Sequence, residues 1–167
     1  MTPRPPRGFT LVEMVLVMVL AGVVTLGLIG FYLNSQATWM DASAQALAQR
    51  DATTIVESIS AKAREAEQVV ITPNAPDTII TFYKVGLTDP YSFWWSQGPG
   101  ADSLIHCGTG TGNVDDGPVA PTTVERFYFA RDPALPILHL RVLEMRTTQG
   151  ERLQMSTSFT LYNGPRP

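Results

Sequence analysis

A chain of 167 residues has room for one compact domain of ordinary size plus an appended helix, and is too short for two full domains. Twelve Lys and Arg against 15 Asp and Glu leave a net charge of −3, so there is no basic footprint for binding nucleic acid. The single cysteine, Cys107, excludes an intramolecular disulfide in any redox compartment, and the fold must rest on its core.

The chain opens with MTPRPPRG, a short, basic stretch in which Pro3, Pro5 and Pro6 oppose a helix and keep the peptide extended. Residues 9–33 then read FTLVEMVLVMVLAGVVTLGLIGFYL, with Glu13 as their one charge. As a helix these residues extend about 37 Å at about 1.5 Å per residue, enough to cross a hydrocarbon core of about 30 Å. Arg4 and Arg7 precede the span, and the first charge after it, Asp41, is acidic, with Asp51 following. That asymmetry places the N-terminus in the cytoplasm and the bulk of the chain on the far side of the membrane. A secretory signal would be shorter and would end in a small-x-small cleavage site, which does not follow Leu33. A plain membrane anchor explains the length but not Glu13, because a carboxylate in a membrane helix costs roughly 2–4 kcal/mol and marks a functional position. Gly22, Gly27 and Gly30, with Thr25, suit close packing against other helices.

From Asn34 the composition turns polar while helical spacing continues. Met40, Ala44, Leu47, Ile55, Ile59, Ala63 and Ala66 form one stripe at steps of three and four, interrupted by Asp51. This predicts an amphipathic helix over 34–70 that stops near Thr72 and Pro73. From Thr78 the period becomes two, which predicts strands over 78–83, 103–107, 123–130, 137–146 and 153–162. The last three strands, joined by turn-forming stretches, read as an antiparallel meander over 122–162 that packs one face on the helix. The fold class is α+β, with no signal for a βαβ crossover. Between helix and meander, 85–121 reads as an irregular segment rich in Gly and Pro. Its aromatic cluster, Tyr91, Phe93, Trp94 and Trp95, is either a small satellite core or a contact surface for a partner.

A search for catalytic chemistry finds no constellation. His106 and Cys107 are adjacent in a strand-like run and so point to opposite faces, although the fold could bring His139 near the thiol. Two His and one Cys are too few for a zinc centre. Asn113, Asp115 and Asp116 offer hard oxygens to calcium, without EF-hand spacing or a distal glutamate, and a solvated turn is the simpler reading. The GTGTG run at 108–112 precedes no helix and is no phosphate loop. The chain reads as a non-enzyme without cofactor.

The basic leader ending in Gly8, followed by Phe9, Thr10, Leu11, Val12 and Glu13 and an unbroken apolar helix, resembles the prepilin signature of type IV pilins and type II secretion pseudopilins. That resemblance implies a pilin fold, with 1–8 as leader, 9–33 as transmembrane and assembly helix, and 34–167 as a periplasmic or extracellular domain. It implies cutting between Gly8 and Phe9 by prepilin peptidase, N-methylation of Phe9, and residence in the inner membrane before assembly. Its implied partners are membrane lipid, an inner-membrane assembly platform and other pilins or pseudopilins, with Glu13 pairing to a neighbour's Phe9 amine in the filament. The 49–70 stretch and the C-terminal meander are similar to J-type minor pseudopilins and large minor pilins, which implies a place at a filament tip. A tip adhesin or DNA-uptake subunit working through the aromatic cluster, and a single-pass membrane enzyme, are the competing readings.

Overall fold

The computed structural model describes residues 8–74, 77–84, 86, 89–97, 100–114, 116–132 and 135–161. One helix, α1 (Leu11–Glu65), is followed by seven strands: β1 (Gln68–Asn74), β2 (Asp77–Tyr83), β3 (Tyr91–Trp95), β4 (Ile105–Thr109), β5 (Val124–Arg131), β6 (Ile137–Arg146) and β7 (Arg152–Thr160). All pairings are antiparallel, in two sheets of order β1-β2-β3-β4 and β5-β6-β7. The layout is α+β, as expected, and is consistent with a pilin fold. The chain divides into two compact units, Met1–Ala42 and Ser43–Pro167.

In the first unit the helix is apolar on all sides from Met14 to Leu33 and turns polar from Asn34. No side chain over 11–42 is buried, and this stretch contains the one segment, among the described residues, that is long and apolar enough to cross a membrane. Its hydroxyls turn inward on the helix itself: Thr25 Oγ1 donates to the Ala21 carbonyl at 2.7 Å and Thr38 Oγ1 to that of Asn34 at 3.0 Å.

In the second unit the same helix supplies a core stripe. Ala44, Ala48, Ala52, Ile55, Ile59 and Ala63 are buried, at steps of four and three. The expected stripe is right at Ala44 and from Ile55 onward, and wrong at Met40 and Leu47. Met40 and Leu47 are 54% and 56% exposed, and Ala48 and Ala52 take the inner positions. Small alanines on successive turns bring the helix backbone close to its neighbours, which a Leu at the same place would prevent. Asp51, the polar interruption, accepts a hydrogen bond from the Thr122 hydroxyl.

The helix also ends earlier than the sequence suggests. It stops at Glu65 rather than near 70, where Lys62 and Arg64 in the last turn complement the helix dipole. The Ala66 N–H bonds back to the Ala63 carbonyl at 3.3 Å, and the Glu67 N–H turns to the Tyr83 carbonyl at 2.9 Å. The chain thereby enters β1, a strand absent from the sequence reading. Pro73 is tolerated there because β1 is an edge strand, hydrogen-bonded only to β2.

The 85–121 segment is less irregular than its composition implies. It contains β3 and β4, which complete the first sheet as a four-stranded meander. Cross-strand pairs Ile80–Phe93 and Phe82–Tyr91, then Phe93–Cys107 and Trp95–Ile105, line up one face. That face joins Ile55, Ile59 and Ala63 in a single core that also takes Phe127, Leu138, Leu140, Leu143 and Met145 from the second sheet. Side chains such as Ile55, Ile59 and Phe93, each almost wholly removed from water, contribute about 1.5–3 kcal/mol apiece by burial.

The opposite face of the first sheet is covered by the chain after β4. His106 bridges to Pro118, the Asp116 N–H bonds the Cys107 carbonyl at 2.9 Å and the Val119 N–H bonds the Ile105 carbonyl at 2.8 Å. This strap seats Val114 over Gly108 and Gly110. At Gly110, φ is +128° and an added Cβ would lie 2.8 Å from a Val114 methyl, so only glycine fits. On the outer face of the second sheet, Arg152 bridges Glu125 at 3.0 Å and Glu144 at 3.6 Å, and Arg146 reaches Glu125 at 3.5 Å. These charges hold the ends of the three strands in alignment.

Candidate functional site

The residues singled out at the start of the chain lie together. Gly8 is exposed, and the space where its Cβ would stand is empty for 4 Å, so the backbone there is open to a protease. Phe9 is exposed beside it. Residues 1–7, with Arg4 and Arg7, lie outside the described residues.

Glu13 has a role that the sequence reading missed. The helix begins at Leu11, so Thr10 stands at its N-cap and Glu13 three residues on. The Glu13 N–H donates to Thr10 Oγ1 at 3.3 Å, while the Thr10 N–H donates to Glu13 Oε2 at 3.4 Å. The Thr10 hydroxyl also lies 3.4 Å from the same carboxylate oxygen. This is a reciprocal capping box, closing two backbone donors that the first turn otherwise leaves open. The carboxylate also stands where the positive end of the helix dipole favours it. The signal was legible as Thr-x-x-Glu directly before an apolar run. In the single subunit, therefore, Glu13 is occupied in starting its own helix.

The aromatic cluster lies elsewhere and is not a loop. Tyr91, Phe93, Trp94 and Trp95 belong to β3. Phe93 and Trp95 are buried in the main core, and the Trp95 indole N–H reaches the Val124 carbonyl at 3.0 Å. Neither can offer a surface to a partner, and the two half-buried rings are engaged as well. The Trp94 indole N–H donates to the Val114 carbonyl at 2.6 Å, and its ring stacks on His106 at 4.6 Å between centroids. Tyr91 meets Phe93 edge-on at 5.4 Å and carries the Lys62 ammonium 4.1 Å above its ring centroid. Burial, followed by the hydrogen bond with Cys107, pushes the Tyr91 phenol up to about 12.

The thiol and imidazoles do not form a catalytic set. His106 is buried on the face away from Cys107 and bonds Asp102 Oδ2 through Nε2 at 2.8 Å. The Leu104 N–H holds the Asp102 carboxyl below its ordinary value against an opposing effect of burial, and His106 adds a lesser lowering. Cys107 faces the core beside Phe93. His139, on β6 in the other sheet, bonds the Ser158 hydroxyl through Nδ1 at 2.8 Å. A groove of about 620 Å³ beside α1 is lined by Arg50, Asp51, Thr122 and Arg146 among others, with neither His nor Cys in its wall.

The hard-oxygen loop is likewise tied to its own backbone. Asn113 is exposed, Asp115 lies outside the described residues, and Asp116 Oδ2 accepts the Thr109 N–H at 3.1 Å. Among the described residues, no group of three or more His, Cys, Asp or Glu is placed to hold a metal ion.

What remains is the N-terminal element: an open Gly8, an exposed Phe9, a Glu13 that caps its own helix, and an apolar helix whose side chains over 11–42 are exposed. Residues 4–29 match the family model of the prokaryotic N-terminal methylation motif. No curated protein matches the chain, and no solved structure does. The motif supports a type IV pilin-like subunit that is structural rather than enzymatic, is handled by a prepilin peptidase and assembles with other pilins. Taken with the apolar helix, it also supports a membrane-anchored N-terminus.

Proposed function

We propose that this chain is a structural subunit of a type IV pilus-like or type II secretion pseudopilus filament, of the minor kind that sits at a tip and starts assembly. The observation that carries this is the coincidence of the methylation motif over 4–29 with a helix that buries none of its side chains over 11–42. An apolar helix that leaves its side chains exposed must find cover for them in lipid or in other helices. The leader keeps the N-terminus in the cytoplasm, and the second unit lies in the periplasm or outside the cell.

In this reading prepilin peptidase cuts between Gly8 and Phe9 and the new amine of Phe9 is methylated. The assembly platform then moves the subunit from lipid into the filament. Glu13 pairs there with the Phe9 ammonium of a neighbour, each charge offsetting the other's desolvation and fixing the register between subunits. The minor role draws on the similarity of 49–70 and the C-terminal meander to J-type minor pseudopilins. A calcium site at Asn113, Asp115 and Asp116 has no support in the described geometry.

Mass spectrometry of the protein recovered from cells with an active prepilin peptidase tests the reading. The expected chain starts at Phe9 and carries one added methyl group. A chain still beginning at Met1 overturns it.

A further inference from the structure

The charge-free part of α1 fits the full thickness of a bilayer, headgroups included, better than it fits the hydrocarbon core alone. From Met14 to Met40 there is no charged residue. Glu13 and Trp39 stand 26 residues apart, about 39 Å along a helix, against about 40–45 Å for a bilayer with its polar layers. Centred on that interval, each residue falls a few ångströms outside the hydrocarbon, in opposite leaflets.

The residues near the outer boundary suit it chemically. Tyr32, Ser35, Gln36, Trp39 and Met40 share one face of the helix. Tyr32 is 60% and Trp39 75% exposed, and seven residues of separation bring them within about 20° of each other around the axis. The Gln36 side-chain N–H donates to the Tyr32 hydroxyl at 2.7 Å, and Thr38 bonds its own helix. The phenol therefore enters apolar surroundings with its oxygen satisfied, and Gln36 draws it toward water. Tyr and Trp are the residues that favour this depth, with an apolar body and a polar tip.

We propose that the Tyr32–Trp39 face is an interfacial anchor for the lipid headgroup layer, which holds the unassembled subunit at a register that leaves Glu13 hydrated in the opposite headgroup layer. This rests on the reading of the chain as a membrane-inserted subunit and adds the depth at which it sits. The desolvation of Glu13 is then deferred to the moment of assembly. A lone subunit keeps its capping box wet and does not bear the full cost of a carboxylate in hydrocarbon.

The test uses the full chain in phosphatidylethanolamine–phosphatidylglycerol vesicles that carry a nitroxide either at the headgroup or near the acyl-chain end. The Trp39 emission is taken as the difference between the protein and Trp39→Phe, which removes the Trp94 and Trp95 background. Headgroup nitroxide should remove most of the Trp39 emission and chain-end nitroxide little. Leu28→Trp in the Trp39→Phe background, two residues from the midpoint between Glu13 and Trp39, should show the reverse preference. If the chain floats with the vesicles but Trp39 is quenched at neither depth, or mainly by the deep probe, the anchor is wrong while membrane insertion stands. If the chain does not float at all, the membrane reading falls with it.

Discussion

The helix α1 runs through two environments, and its two parts obey different rules. Over 11–42 every side chain is exposed, and Val, Leu, Ile and Met occur on all sides. From Ser43 to Glu65 one stripe is buried, beginning with three alanines and continuing with Ile55, Ile59 and Ala63, while the charged residues stay outside it. A hydrophobic residue in the second part has a fixed set of neighbours, and its removal leaves a hole. A hydrophobic residue in the first part has neighbours supplied by lipid or by other subunits. Apolar character alone does not make a core, and the periodicity of what is not apolar separates the two parts.

The most direct way to break that comparison is to shorten one side chain in each part. Ile59→Ala should destabilise the folded domain by about 2–5 kcal/mol through lost contacts and a residual cavity. Urea unfolding of the full chain in detergent micelles, followed by tryptophan emission, reads this directly. Leu20→Ala, a change of similar size, should leave the same transition within about 0.5 kcal/mol. A large effect from Leu20→Ala would mean that the first part packs within its own chain, and the reading of an unpartnered helix would fail.

The same contrast explains what the sequence disclosed and what it hid. The second part of the helix and the last three strands were legible because one face is wet and one dry, so hydrophobicity alternates with the right period, as in Phe127 and Phe129 against Arg126 and Tyr128. β2, with Ile80, Thr81 and Phe82 all buried, was legible from its β-branched and aromatic run instead. β3 was hidden because both of its faces are covered. Phe93 and Trp95 enter the core while Ser92 and Trp94 lie beneath the strap, and YSFWW shows no alternation. β1 was hidden because QVVITPN follows the helical stripe without a break and ends at a proline that an edge strand tolerates. Met40 and Leu47 were misplaced because both are apolar at helical spacing, and only the neighbouring alanines reveal which side the chain approaches. At the N-terminus the processing pattern is plain, while the mutual capping of Thr10 and Glu13 is masked because a carboxylate at the head of an apolar run reads first as a charge in oil.

A smaller effect sharpens the edge of the packed part. Lys62, near the end of α1, holds its ammonium over Tyr91, whose phenol is raised from 10.0 to about 12. The folded state favours the protonated phenol, so this contribution is complete below pH 10 and is lost as pH rises toward 12. With solvent screening of a partly exposed group, the loss comes to roughly 1 kcal/mol. Unfolding midpoints measured between these pH values should fall for the native chain and stay nearly flat for Tyr91→Phe. An equal fall in both would assign the alkaline loss to other groups.

The smallest effect in energy concerns the exposed part and separates two roles of one side chain. Thr10→Val removes the hydroxyl of the capping box but leaves the Glu13 charge, so the first turn should loosen by about 0.5–1 kcal/mol. Amide hydrogen exchange at Leu11 to Met14 in micelles measures this. Glu13→Gln does the converse, since glutamine can reach back to the Thr10 N–H as glutamate does while carrying no charge. If the filament depends on pairing Glu13 with an ammonium, Glu13→Gln should stop assembly while exchange at the first turn stays near native, and Thr10→Val should assemble. If Thr10→Val blocks assembly as severely as Glu13→Gln, a well-formed helix start is what the filament needs, and the charge-pairing account gives way to a conformational one.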